Sequence, residues 1–283
     1  MDPLFAGLAL ASALLHAGWN TFVKAAADRL VAFATISLGF AASGAVMIPL
    51  WGIPDRRSWG YLALTTFFYY GYLWLLHRAY RIGDVSHAYP LFQGAAPLFV
   101  AVGGALFGGE WLAPLSALGV VLASLGIMSL AVFGKPAAQY PSRELYALTL
   151  ATSLVIATMM VSNALGSRAS GSPMAFIAWI LFLQAPVVGV AAVLRRGQLS
   201  QAVRGEPIKV VGTGICATLA YGLSIYASTY APMAGVAALR QTSVVIASLF
   251  GTIVLRERPW RPRVAAACVI AAGSILVAAQ GVH

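Results

Sequence analysis

The sequence predicts an all-α polytopic membrane protein with ten transmembrane helices, arranged as two inverted five-helix repeats. Of the 283 residues, 60% are hydrophobic and 9% are charged, whereas soluble domains carry about 25% charged residues. Apolar runs of about 20 residues recur along the chain, and each is long enough to cross a hydrocarbon core of ~30 Å as a helix. The two halves also echo one another at a fixed spacing, which is typical of transporters built from internal repeats.

Ten segments are predicted to span the membrane. Runs of this length without alternation of polar and apolar residues exclude a β-barrel. We assign residues 1–134 to a first repeat, 135–144 to a connecting loop, and 145–283 to a second repeat. The spans lie at about residues 3–23, 31–51, 59–78, 86–107, 112–133, 145–165, 173–194, 208–230, 233–255 and 262–280.

Matching residues of the two halves are separated by 147 positions, as in 273 − 126 = 147. Five helices per half is an odd number, so the halves insert with opposite orientations. In such an inverted repeat the substrate site lies near the midplane, between the halves. The matched pairs are Gly104 and Gly251, Glu110 and Glu257, and Gly126 and Gly273.

The net charge of +10 does not indicate nucleic-acid binding. The basic residues are scattered between apolar runs, whereas nucleic-acid binding would need them clustered on one face. Cys216 and Cys268 lie inside apolar segments and indicate neither a disulfide nor a metal site. The chain also lacks the metal-ligand spacings and buried carboxylate pairs of a membrane enzyme. We therefore predict no enzymatic activity, no cofactor and no metal.

Arg240 is the most informative polar residue at membrane depth. An arginine near a helix centre costs ~2.5–3.5 kcal/mol on insertion scales, so it needs a partner. All eight carboxylates lie at helix ends or in loops by sequence, which suggests that an anionic substrate group supplies the missing charge. The alternative is that the side chain snorkels or binds backbone carbonyls at a helix break.

Gln93 is the repeat mate of Arg240, since 240 − 93 = 147, and both should face one central cavity. Gln93 lies between Pro90 and Pro97, and each proline frees the carbonyl four residues before it. Broken helices of this kind coordinate substrates in carriers. The alternative is a proline kink that serves packing only.

The first helix carries a polar stripe, because Ser12, His16, Asn20 and Lys24 follow one another at intervals of four. Such a stripe faces protein or a water-filled cavity, and Trp19 beside it could stack on a substrate. His16 is the best proton carrier if transport is coupled to protons. The alternative is a neutral histidine bonded across helices.

Deep aromatic residues are further candidates for the cavity wall. Tyr70 and Trp74 in the third helix and Tyr221 in the eighth lie deeper than interface anchors, although such residues are more often packing. Asn163 in the sixth helix is a weaker candidate.

Glu110 and Glu257 are each predicted to stabilise the turn before the following helix by accepting backbone N–H groups at a positive helix end. The alternative is a role in coupling.

The chain resembles the EamA-type transporters of the drug/metabolite transporter superfamily over nearly its whole length. The resemblance is carried by the run from His16 to Asn20 with Lys24, and by the two glutamates and glycines of the repeated helix pairs. The runs at 89–93 and 240–243, with Tyr89 and Ser243 as further site candidates, resemble a subgroup associated with phosphonate use. That subgroup is expected to have arginine where Gln93 stands.

The orientation of the termini is open. Loops after odd-numbered helices hold fourteen basic residues, and loops after even-numbered helices hold three. By the positive-inside rule both termini then lie outside the cytoplasm, whereas the family resemblance implies that both are cytoplasmic.

Together these observations predict a multi-pass protein of the plasma (bacterial inner) membrane that carries a small anionic or zwitterionic metabolite by alternating access. Amino acids, organic acids and phosphonates fit, and protons are a candidate coupling ion. A carrier of quaternary amines and other organic cations is the alternative, because aromatic cages attract cations. A membrane scaffold or receptor subunit is a further alternative.

Overall fold

The computed structural model describes residues 1–25, 28–82, 85–132, 143–195, 197–246 and 260–279. In these residues the chain is helical, with turns between the helices and no strand. Twelve helices carry labels here: α1 Pro3–Ala25, α2 Arg29–Trp51, α3 Trp59–Ile82, α4 Val85–Gly108, α5 Pro114–Val132, α6 Arg143–Ala169, α7 Pro173–Phe182, α8 Ala185–Leu194, α9 Gln198–Gly205, α10 Pro207–Tyr230, α11 Met233–Arg240 and α12 Trp260–Ala279.

These helices correspond to the ten predicted spans. The seventh span is α7 together with α8, and the ninth begins with α11 and continues as helix to residue 246. The connecting loop at 135–144 lies outside the described residues except for Arg143 and Glu144, which already belong to α6. Six helices or helix pairs are long and apolar enough to cross a membrane. The predicted polytopic membrane fold is confirmed.

The helix ends follow from local chemistry. The Asp28 carboxylate accepts the N–H groups of Leu30 and Val31 and so caps the start of α2. Ser172 caps α7 in the same way, with Pro173 at the first helical position. Gly52 (φ 74°) ends α2, because this left-handed backbone conformation favours glycine.

The helix packing shows the pseudo-two-fold symmetry. The repeat mate of α1 is α6, and the repeat mate of α3 is α10. The contact of α1 with α10 is therefore equivalent to the contact of α6 with α3, and both contacts are present. The contacts of α2 with α7 and of α5 with α12 each join a span to its own repeat mate. Each half therefore packs against the other through equivalent surfaces, as an inverted repeat requires.

Small residues allow the closest of these contacts. A Cβ added at Gly273 of α12 would lie 2.6 Å from the Gly119 carbonyl oxygen and from the Ala123 nitrogen of α5. Gly39 of α2 and Gly214 of α10 meet in the same way. Helices in lipid gain stability mainly from such backbone approach, since lipid offers no hydrophobic drive to pack.

Two apolar clusters flank the centre of the molecule. One joins α2, α7 and α10 around Phe40, Phe176 and Ile180. The other joins α4, α6 and α11 around Val100 and Met233. The polar side chains described below lie on α1, α3, α4, α6, α10 and the ninth span, and several of these helices also contribute to the two clusters.

Two features differ from the sequence-based expectation. The seventh span is broken at Leu183 and Gln184, because Pro186 has no N–H to donate to the carbonyl of Phe182. A short amphipathic helix, α9, follows the span where a loop was expected. It buries Leu199 against α2 and leaves its polar side exposed.

Candidate functional site

The central polar site is built around Arg240, the last residue of α11. Its Nη2 lies 3.2 Å from Nδ1 of His16 in α1, so the contact joins the two repeats. Because the guanidinium has only donors, this imidazole nitrogen acts as the acceptor. The geometry therefore corresponds to a neutral histidine bonded across helices. His16 also meets the edge of Trp19, with ring centroids 4.6 Å apart.

A chain of amide and phenol groups crosses the same region. Gln241 donates to the side-chain carbonyl of Gln93 at 3.1 Å, and Gln93 donates to the Tyr89 hydroxyl at 3.1 Å. Asn20 donates to the same hydroxyl at 2.5 Å. The chain runs from the second repeat through α4 to α1. Gln93 thus contacts the residue that follows its repeat mate, Arg240, close to the pseudo-two-fold axis.

A second amide–phenol pair joins α6 and α10. Asn163 of α6 donates to the Tyr221 hydroxyl of α10 at 2.9 Å. The Arg240 guanidinium is within electrostatic range of the phenols of Tyr72, Tyr89 and Tyr221. Residues of α1, α3, α4 and α10 therefore lie near the arginine, and α6 reaches this region through Tyr221.

Three buried polar atoms of this region have no hydrogen-bond partner among the described residues. They are Nε of Arg240, Oγ of Ser243 and Oδ1 of Asn163. Buried polar atoms are almost always satisfied in proteins, because leaving one unpaired costs about 1–3 kcal/mol. These atoms are the ones that a bound molecule or water would engage.

Two predicted site residues lie elsewhere. The Tyr70 hydroxyl donates to the Leu183 carbonyl at 2.8 Å and so gives a hydrogen-bond partner to a backbone carbonyl at the break in the seventh span. Trp74 is 59% exposed and lies under the Arg78 guanidinium, 5.7 Å from the ring centroid. The spacing of four along α3 correctly places both on one face, but that face turns toward α7 and the outside of the bundle.

A broken helix and a proline kink were the two alternatives for the segment around Gln93, and the structure shows no break there. α4 continues from Val85 to Gly108 through Pro90 and Pro97. In the ninth span, by contrast, the N–H of Gln241 is shared between the carbonyls of Ala237 and Ala238. The irregular turn therefore lies beside Arg240.

Glu110 forms an ion-pair cluster that ties the repeats together at one end of the molecule. Its Oε1 lies 2.6 Å from Nη2 of Arg168, and its Oε2 accepts the N–H of Met233 at 2.8 Å. Arg168 also donates to the carbonyls of Ser228, Thr229 and Ala231. Glu110 does meet backbone N–H at a positive helix end, but the helix is α11 of the other repeat and not the following α5. Its repeat mate Glu257 lies outside the described residues.

Sequence reasoning did not single out Gln241 and Tyr72, and it ranked Asn163 low. Gln241 could have been found, since it is a polar residue next to Arg240 at the same depth. Tyr72 lies on a different face of α3 from Tyr70, so the spacing argument passed over it.

Carboxylates are absent from this centre in the part of the chain that the structure describes. Asp2, Asp28, Asp55, Glu110, Glu144 and Glu206 all lie at helix ends or in turns, and Asp84 and Glu257 lie outside that part. In the same residues no three His, Cys, Asp or Glu side chains lie together to hold a metal ion.

Comparison with known proteins gives one family and one fold. The model of the EamA-like transporter family matches residues 4–132 and 143–279. Twenty-seven chains of solved structures match significantly. One, described only as "Crystal structure of protein", has a TM-score of 0.74 and 17% identity, and the match covers 96% of this chain and 94% of that one. No curated protein matches at a significant level.

Proposed function

The chain belongs to the EamA-like transporter family, and we propose that it carries a small anionic or zwitterionic metabolite across the membrane by alternating access. The position of Arg240 is the observation that supports this substrate class. Its charge lies between the repeats, and its contact there is a histidine nitrogen and not a carboxylate.

Two of the three unpaired atoms near Arg240 can donate and so favour an anionic group, whereas the third, Oδ1 of Asn163, accepts and would suit a donor such as the ammonium group of a zwitterion. The guanidinium Nε can only donate, and the Ser243 hydroxyl, 2% exposed, has a proton to donate. The Tyr221 hydroxyl accepts from Asn163, which leaves its own proton for a further acceptor. Carboxylates and phosphonates offer several acceptor oxygens to such donors, and hydrogen bonds to charged groups are about twice as strong as neutral ones.

The aromatic environment supports the alternative of an organic cation. Tyr72, Tyr89 and Tyr221 surround the site, and phenol rings attract quaternary amines. A cation would, however, lie next to Arg240 with none of the described carboxylates nearby, so repulsion disfavours it. The phosphonate-associated subgroup remains a prediction that rests on the runs at 89–93 and 240–243.

A ligand-dependent stability screen on the purified protein tests this proposal. The panel holds amino acids, organic acids, phosphonates and quaternary amines, applied to wild type, Arg240→Gln, and Arg204→Gln as a control that removes an exposed arginine of α9. A ligand at a hundredfold excess over Kd stabilises the folded protein by ~2.7 kcal/mol. We expect anionic or zwitterionic compounds to raise the melting temperature of wild type and the control but not of Arg240→Gln.

The proposed substrate class is wrong if only amines stabilise the protein, or if Arg240→Gln responds like wild type. Arg240→Lys keeps the charge and provides a second variant in case the glutamine variant does not fold. Counterflow in proteoliposomes tests the mechanism. An alternating-access carrier preloaded with a hit compound should take up labelled compound faster, whereas a scaffold or receptor subunit should show no uptake.

A further inference from the structure

A second cleft opens at the end of α3, away from the Arg240 site. It has a volume of ≈ 450 Å³ and is lined by Trp74, Arg78, Arg81 and Ile82. This volume falls within the range of ~300–1,000 Å³ that is typical of ligand clefts. We propose that it binds the phosphate group of an anionic phospholipid, with the upper acyl chains against Trp74.

The order of side chains along α3 matches the order of groups along a lipid. α3 ends at Ile82. At 1.5 Å per residue, Arg81 lies at the helix end, Arg78 about 6 Å below it, and Trp74 about 12 Å below it. Charged groups thus lie at headgroup level and the exposed indole lies at the depth of the upper acyl chains, as for interfacial anchors. A free soluble anion would have no use for the apolar wall.

The described residues that line the cleft include two arginines and no carboxylate. Arg78 pairs with Glu144 at 3.0 Å, and both side chains are about half exposed. Arg81 pairs with no carboxylate in the described ranges of the chain. The stacking of Arg78 over Trp74 fixes its guanidinium beside the cleft. Lysine and arginine side chains close to the membrane surface attract anionic headgroups.

This site is independent of the proposed transport function, because it shares no residue with the Arg240 region. The test is native mass spectrometry of the full-length protein released from nanodiscs that contain phosphatidylglycerol or phosphatidylcholine. We expect wild type to retain one phosphatidylglycerol and no phosphatidylcholine. Arg81→Gln should reduce this retention about fivefold, the effect of one arginine at an anionic membrane surface.

Trp74→Ala should also reduce retention, while Arg204→Gln and Arg240→Gln should leave it unchanged. Equal retention of the two lipids, or no change on Arg81→Gln, would overturn the proposal. Glycerol 3-phosphate and inorganic phosphate are added as competitors in separate samples. If either displaces the bound lipid at concentrations similar to that of the lipid, the cleft recognises free phosphate and the lipid assignment is wrong.

Discussion

Replacing Glu110 with glutamine tests whether the ion pair between the repeats stabilises the fold. Glutamine keeps an acceptor for the Met233 N–H but removes the charge opposite Arg168. The Glu110 and Arg168 side chains are 15% and 28% exposed, so the pair lies between a surface pair and a fully buried one. We expect a loss of about 1.5–3 kcal/mol, the value for hydrogen bonds to charged groups, and less than the 3–5 kcal/mol for breaking a fully buried pair.

A matched control exists in the Lys209–Glu206 pair. Its N–O distance is also 2.6 Å, but its side chains are 64% and 55% exposed. Glu206→Gln should therefore cost only about 0.3–0.5 kcal/mol. Unfolding by SDS in mixed micelles measures both free energies, and a double-mutant cycle with Arg168→Gln isolates the pair. Equal losses at the two glutamates would refute the argument that burial decides the strength of these pairs.

Further variants test three other contacts. Tyr70→Phe removes the hydrogen bond to the Leu183 carbonyl at the break of the seventh span. It should destabilise the protein by about 0.5–1.5 kcal/mol in the same SDS titration and leave the stabilisation by ligands unchanged. Loss of the ligand response would show that Tyr70 contributes to the substrate site. Gly273→Ala should cost about 1–3 kcal/mol by overpacking, whereas Gly212→Ala, where an added Cβ meets nothing within 4 Å, should be neutral or stabilising. The hydrogen bond from Arg195 lowers the pKa of Asp28, so its contribution is present above the usual aspartate pKa of about 4 and is lost as pH falls through the lower folded-state value. Arg195→Gln should therefore melt below wild type at pH 7 and alongside it near pH 2, and a difference independent of pH would contradict this assignment.

The fold was predictable from the sequence because its determinants are local and repeated. Span length, apolar composition and the 147-residue echo each follow from residues that can be read in order. That Arg240 lies beside the other repeat could be predicted in the same way. A charge at membrane depth needs a partner, and repeat mates lie near the pseudo-two-fold axis.

What the sequence could not predict is which neighbour each side chain meets. Spacing along α3 places Tyr70 and Trp74 on one face, but only the packing shows that Tyr70 donates to the Leu183 carbonyl and that Trp74 is exposed. The prolines in α4 left a helix break or a kink open, and α4 continues through both of them, whereas the seventh span is broken at Leu183 and Gln184, just before Pro186. Likewise, no local signal says that Glu110 caps a helix of the other repeat.

The break in the seventh span has no counterpart in the first half. Gln184 corresponds to Ser37, since 184 − 147 = 37, and Ser37 lies inside the unbroken α2. In an inverted-repeat carrier the two end states exchange the conformations of the halves, so identical halves would make these states equal in free energy. Under the proposed alternating-access mechanism, a break in one half alone would make the two end states unequal in free energy.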